Sequence, residues 1–133
     1  MTDIPEILVV CTHNAGRSVA ARVLLDHHAG GRVIVRSAGS APADDINPAV
    51  AQVLRERGLD VSKEFPKALT DEAARAADIV ITMGCGDACP VHPGTRHLDW
   101  DLTDPAGKSV EEVRPIVDDI EARVLALIAE LGV

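Results

Sequence analysis

Short apolar runs alternate with amphipathic stretches along this chain, and the alternation predicts its elements one by one. Ile7 to Val10 is a continuous run of β-favouring residues, as expected of a strand covered on both faces. Val19, Ala20, Val23 and Leu24 then recur at helical spacing, and Gly30 with Gly31 supplies a helix stop. Val33 to Ser37 reads as a second strand. Asn47 and Pro48 provide a cap and a first-turn proline for a helix that places Val50, Val53 and Leu54 inward and ends before Gly58. Val61 to Leu69 is irregular, whereas Thr70 caps a short helix through Ala76, with Asp71 and Glu72 in its first turn. Ile79 to Met83 is a third buried strand, and Thr95 to Leu98 a weakly apolar fourth. Ser109 and Glu112 have capping-box spacing ahead of a long stripe from Val113 to Leu131, which Pro115 is expected to kink or restart.

Strands alternating with helices call for an α/β fold: a single-domain, three-layer sandwich over residues 1–133, with a four-stranded parallel sheet and helices on both faces. The 133 residues, 47% of them hydrophobic, suffice for one core. No internal repeat, linker or low-complexity segment interrupts the pattern.

Charge narrows the partners. The net charge of −8 and the lack of any basic run argue against nucleic acid. From Asp99 onward nine Asp or Glu face only Lys108, Arg114 and Arg123, so an anionic ligand needs a local trap. No apolar run approaches the roughly 18 residues of a membrane span, and the N-terminal stretch lacks a basic flank. Three cysteines, an odd number, suit reduced thiols better than a static disulfide framework. A soluble, cytoplasmic protein that does not bind membranes is expected.

The trap lies where the first strand meets the first helix. Cys11, Thr12, His13, Asn14, Ala15, Gly16, Arg17 and Ser18 form a loop short enough to curl its N–H groups around a tetrahedral oxyanion, with helical partial charge behind it. Arg17 offers a two-pronged fork to such an anion, which lysine could not imitate. A free thiol titrates near ~8.5, and a helix N-terminus beside arginine lowers that by several units. Cys11 is therefore predicted to be a thiolate nucleophile at neutral pH, with the Ser18 hydroxyl donating to it. Dinucleotide and P-loop signatures are absent.

Chemistry on an oxyanion needs an acid for the departing oxygen. Asp99, Asp101 and Asp104 are near one another, and Asp104 is favoured because Pro105, Ala106 and Gly107 place it on a turn that can swing over the anion. Cys85 and Cys89 follow the third strand in MGCGDACP, and Cys85 would share with Cys11 the carboxyl edge of the sheet, where ligands bind in open parallel sheets. Zinc is a rival use of Cys85, Cys89, His92 and His97, but only Pro90 and Val91 separate Cys89 from His92, far fewer than the ~12 residues usual between ligand pairs. No metal or other cofactor is expected.

Taken together, VVCTHNAGRS, SAGS at Ser37 to Ser40, MGCGDACP and WDLTDPAGK resemble the arsenate reductases built on the low-molecular-weight tyrosine phosphatase fold. The resemblance spans nearly the whole chain and implies the strand order 2-1-3-4. It also implies a relay in which Cys11 attacks arsenate, Asp104 protonates the leaving oxygen, Cys85 attacks Cys11 to release arsenite, and Cys89 resolves to a Cys85 to Cys89 disulfide. Two thiols becoming a disulfide supply the two electrons. Thioredoxin is the implied reductant, with a mycothiol-type thiol as an alternative because the redox pair is closely spaced, and a monomer is expected. Some members of that family hold potassium near the loop asparagine through a glutamate in the first helix; Arg22 stands there, and no ion is expected. A tyrosine phosphatase is the competing reading, yet the chain has no Tyr and only Phe65 and Trp100 to wall an aromatic ring. A zinc- or anion-binding regulator is the non-enzymatic alternative.

Overall fold

The computed structural model describes residues 4–84 and 94–132. Strand β1 (Glu6–Cys11) enters the loop, and helix α1 (Arg17–Ala29) leaves it. Then follow β2 (Ile34–Gly39), α2 (Pro48–Glu56), α3 (Asp71–Ala76), β3 (Ile79–Met83), β4 (Arg96–Asp99) and α4 (Val110–Leu131). The four strands form one sheet in the order β2-β1-β3-β4, every pair parallel. Val33 belongs to the approach and Gly39 to the strand, so β2 sits slightly later in the chain than its apolar pattern suggests.

Alternation along β1 divides the core into two layers. Ile7, Val9 and Cys11 face α1, α2 and α4, a large layer that includes Leu24, Leu54, Ile81, Val117 and Ile120. Leu8 and Val10 face the opposite way, into a small layer with Ala38, Ala74, Ala77 and Val80 beneath α3. The sandwich is thus lopsided. Because β1 is central, its residues are 2% exposed or less from Ile7 to Cys11, which explains a continuous apolar run where an edge strand would alternate. β4, an edge strand, is only half-buried, and pairing with β3 from Ile79↔Arg96 to Thr82↔Asp99 compensates for its polar sequence.

The helices stop and start where their end residues dictate. Gly30 adopts φ 58° and its N–H returns to the Asp26 carbonyl, ending α1. Asn47 Oδ1 accepts the N–H groups of Ala49 and Val50, and Thr70 Oγ1 that of Ala73. Ser109 and Glu112 form the full capping box. Pro115 does not restart α4, which runs unbroken from Val110 to Leu131. It lies in the second turn on an exposed face, so the Glu111 carbonyl it leaves without a helical donor is open to water.

Candidate active site

Register fixes the floor of the site. Cys11 is the last residue of β1, paired with Gly39 on one side and Met83 on the other, at the carboxyl edge of the sheet. It is a free thiol, 2% exposed. The chain then turns through residues 12–16 into α1, where Gly16, at the cap position, offers no side-chain cap and the first turn holds no carboxylate. A helix start left open in this way has N–H groups and partial positive charge to offer an anion.

The loop is turned inside out by its neighbours. The N–H groups of Ser40, Ala41, Ala43 and Asn47 donate to the carbonyls of Cys11, Thr12, His13 and Ala15 at 3.2, 2.8, 2.9 and 2.9 Å. In a planar trans peptide the next N–H points opposite to the carbonyl, so those of Thr12, His13, Asn14 and Gly16 are directed away from this outer segment, toward the loop's interior. Thr12 Oγ1 also donates to the Gly84 carbonyl at 3.0 Å, tying the loop to the end of β3.

Asn14 holds the turn from beneath. It is fully buried with φ 47°, a conformation asparagine tolerates better than most residues. Its Oδ1 accepts the Lys67 N–H at 2.9 Å, and its Nδ2 donates to Ser18 Oγ at 2.7 Å. With that oxygen already accepting, the Ser18 hydroxyl hydrogen is available to Cys11 Sγ, 3.0 Å away.

Arg17 is the one buried cation of the loop, 7% exposed. Its Nη1 donates to the Leu102 carbonyl at 3.5 Å and its Nη2 lies 3.8 Å from Asp104 Oδ2. The space it occupies depends on Gly84, which has φ 86°: a Cβ there would stand 2.5 Å from Nη1. On the other side, the Pro105 ring packs so closely on the loop that a Cβ on Gly16 would meet it at 2.6 Å. Asp104 is half-exposed and its Oδ1 accepts the Ala106 N–H at 3.0 Å, a turn that hangs the carboxyl beside the loop. Cys11, His13, Ala15, Gly16, Arg17, Asn47, Asp104, Pro105 and Ala106 enclose a recess of about 30 Å³.

All the loop residues and Asp104 are therefore brought together. Asp99 instead accepts from Thr82 Oγ1 at 2.9 Å, and neither Asp99 nor Asp101 lines the recess. Cys85, Cys89 and His92 lie outside the described residues, while His97 belongs to β4. Sequence patterns missed Asn47, Gly84, Leu102 and Lys67; their contributions are backbone groups, a missing side chain or a cap doing a second task.

Arg22 stands beside the cavity that Ser37, Glu64 and Lys67 help to line. Its Nε is 3.1 Å from Oε1 of Glu64, a carboxylate almost wholly buried that has no hydrogen-bond partner there, so the contact is one of charge. Since a guanidinium already neutralises this carboxylate and Asn14 Oδ1 is engaged by Lys67, these residues do not fit a potassium ion. Burial holds the Lys67 ammonium below its ordinary pKa, against the opposite pull of Glu64, and Arg22 adds to the lowering.

A cysteine at the end of a central parallel strand, a loop closed by arginine and an aspartate-bearing turn beside them form an arrangement that could receive a tetrahedral oxyanion. The chain belongs to the low molecular weight phosphotyrosine protein phosphatase family, whose sequence profile matches residues 6–133. It is 36% identical over 128 residues to a Halobacterium salinarum protein provisionally named an arsenate reductase, covering 92% of this chain and 90% of that one. The thioredoxin-dependent arsenate reductase of Corynebacterium glutamicum is 47% identical with a TM-score of 0.87; the match covers 98% of this chain but only 63% of that longer one. The YwlE arginine phosphatase from Geobacillus stearothermophilus is 27% identical with a TM-score of 0.83, covering 96% of this chain and 93% of the other.

Proposed function

We propose that the chain reduces arsenate to arsenite by a three-cysteine relay. The observation that carries this reading is the small recess over Cys11, with Arg17 and Asp104 on its wall. Such a space suits an inorganic oxyanion, and none of the residues lining it is a Phe, Tyr or Trp that could wall the ring of a phosphotyrosine. The names of the Halobacterium and Corynebacterium relatives support the same substrate.

In this mechanism the Cys11 thiolate attacks arsenic(V), and Asp104 gives its proton to the oxygen that leaves as water. Arg17 and the loop N–H groups hold the charge on the remaining oxygens. The Cys85 thiolate then attacks the Cys11 sulfur; the electron pair of the sulfur–arsenic bond passes to arsenic, and arsenite departs as arsenic(III). Cys89 attacks Cys85, which frees the Cys11 thiolate and leaves a Cys85 to Cys89 disulfide. An external reductant returns the two electrons: the dithiol of thioredoxin, or otherwise two equivalents of a mycothiol-type thiol. Among the described residues no helix is long and apolar enough to cross a membrane. A reducing cytoplasm is the compartment this thiol chemistry requires, and a monomer suffices for it.

Thiol counting and disulfide mapping after mixing the fully reduced protein with arsenate, without any other thiol, tests the relay. Loss of two thiols, a Cys85 to Cys89 linkage and release of arsenite are expected, with phosphate inert. Three intact thiols would overturn the internal relay, and adding a small thiol would then show whether arsenate is a substrate at all.

A further inference from the structure

Asn47 joins three parts of the site that are far apart in sequence. Its backbone N–H donates to the Ala15 carbonyl at 2.9 Å, fixing the anion loop. Its Oδ1 accepts from Ala49 and Val50 at 2.9 and 3.2 Å, starting α2. Its Nδ2 reaches 3.4 Å across to the Pro105 carbonyl, in the residue after Asp104. Serine, threonine and aspartate cap helices as well as asparagine does. Only an amide can accept from the helix through one atom while another donates to a carbonyl on the far side.

The turn is closed within itself by the Ala106 N–H on Asp104 Oδ1 and the Lys108 N–H on the Pro105 carbonyl, and its other described ties to the rest of the chain run through Arg17, to the Leu102 carbonyl and to Asp104 itself. Those are the nitrogens an oxyanion claims when it enters the loop. Once Arg17 turns to the substrate, the bond from Asn47 is the described side-chain contact that holds the turn without depending on Arg17. It is neutral, so an arriving anion does not weaken it, and it acts beside the Pro105 ring already seated on Gly16. We infer that Asn47 is a positioning residue that keeps the acid turn closed over the occupied anion loop, and so sets how well Asp104 delivers its proton. This rests on the assignment of Asp104 as the acid.

Asn47→Ser is the informative change, because serine retains an acceptor for the cap but is too short to reach Pro105. Arsenate turnover should fall roughly tenfold in kcat, part of the 10²- to 10⁴-fold that a placed acid contributes, with little change in KM. The limb of the pH profile that requires a protonated acid should flatten, and amide exchange in residues 102–108 should quicken. In the Asp104→Asn background, Asn47→Ser should cost nothing further, since its effect passes through that carboxyl. Asn47→Asp, which caps α2 but turns an oxygen toward Pro105, should match the serine variant in exchange and serves if the latter folds poorly. Unchanged kcat with unchanged exchange, or an additive loss in the double variant, would overturn the inference. Full turnover by Asp104→Asn alone would instead refute the acid assignment, and the exchange data would still decide whether Asn47 holds the turn.

Discussion

The backbone N–H of Lys67 donates to the side-chain carbonyl of Asn14, 53 positions earlier, at 2.9 Å. That bond lets an irregular stretch with no helix or strand of its own support the tightest point of the anion loop. Asn14→Ala would leave the Lys67 N–H without its acceptor and place alanine at φ 47°. A loss of about 1 kcal/mol or more in urea unfolding is expected, the cost of stranding a partly buried donor. Asn14→Gly relieves the backbone but not the bond, so it should fall between the two. Equal stability of the glycine variant and the native protein would show that only the dihedral matters.

Because α1 begins without a side-chain cap, an oxyanion in the loop should complete it. Phosphate is expected to raise Tm by several degrees at a hundredfold excess over its Kd, where a ligand of the folded state adds about 2.7 kcal/mol. Arg17→Lys should abolish most of that rise while leaving the anion-free Tm nearly in place. Calorimetry with and without phosphate checks both, and a rise unaffected by Arg17→Lys would place the anion elsewhere.

Gly84→Ala reads the other wall. Its Cβ would stand 2.5 Å from Arg17 Nη1, at a residue with φ 86°. About 1–2 kcal/mol of stability should be lost to the left-handed backbone. Arsenate reduction should drop by roughly 10²-fold, as a guanidinium displaced by an ångström no longer meets the anion. Phosphate titration by calorimetry separates the two effects, since binding suffers only if Arg17 has moved.

The end of the acid turn is anchored by a titrating group. The backbone N–H of Ser109, and then its hydroxyl, hold the Glu112 carboxyl below the usual glutamate pKa. A carboxylate lowered in the folded state stabilises above its unfolded pKa, and that contribution is lost as pH falls through the folded value. The first turn of α4 should therefore loosen in mild acid before the core does. Faster amide exchange at residues 109–113 would report it, and Glu112→Gln should remove the pH dependence.

The strands and most helix ends were legible because burial and capping leave local marks: β1 and β3 as runs of β-favouring residues, α2 through Asn47 and Pro48, α4 through Ser109 and Glu112. The loop was legible as well, since a cysteine and arginine at that spacing between a strand and a helix have few other uses. What the sequence concealed acts through groups every residue possesses. The N–H donors of Ser40, Ala41 and Ala43 shape the anion loop, yet any non-proline residue could supply them. The Gly16 to Pro105 contact is equally invisible, being a space left unfilled in one segment and filled by another 89 positions away. At Pro115 the helix does not restart, since the cost of a proline depends on whether water reaches the orphaned carbonyl.

Cys11 ends a central strand clamped between two others, with Met83 directly beside it. In sequence, Cys85 comes two residues after that neighbour. Held at the end of a central strand, that sulfur is expected to stay in place through the proposed relay. The sheet is then a fixed anvil: the protein can pass through its whole redox cycle without repacking its core, and its reduced and oxidised forms should share the same slow-exchanging amides in β1 and β3.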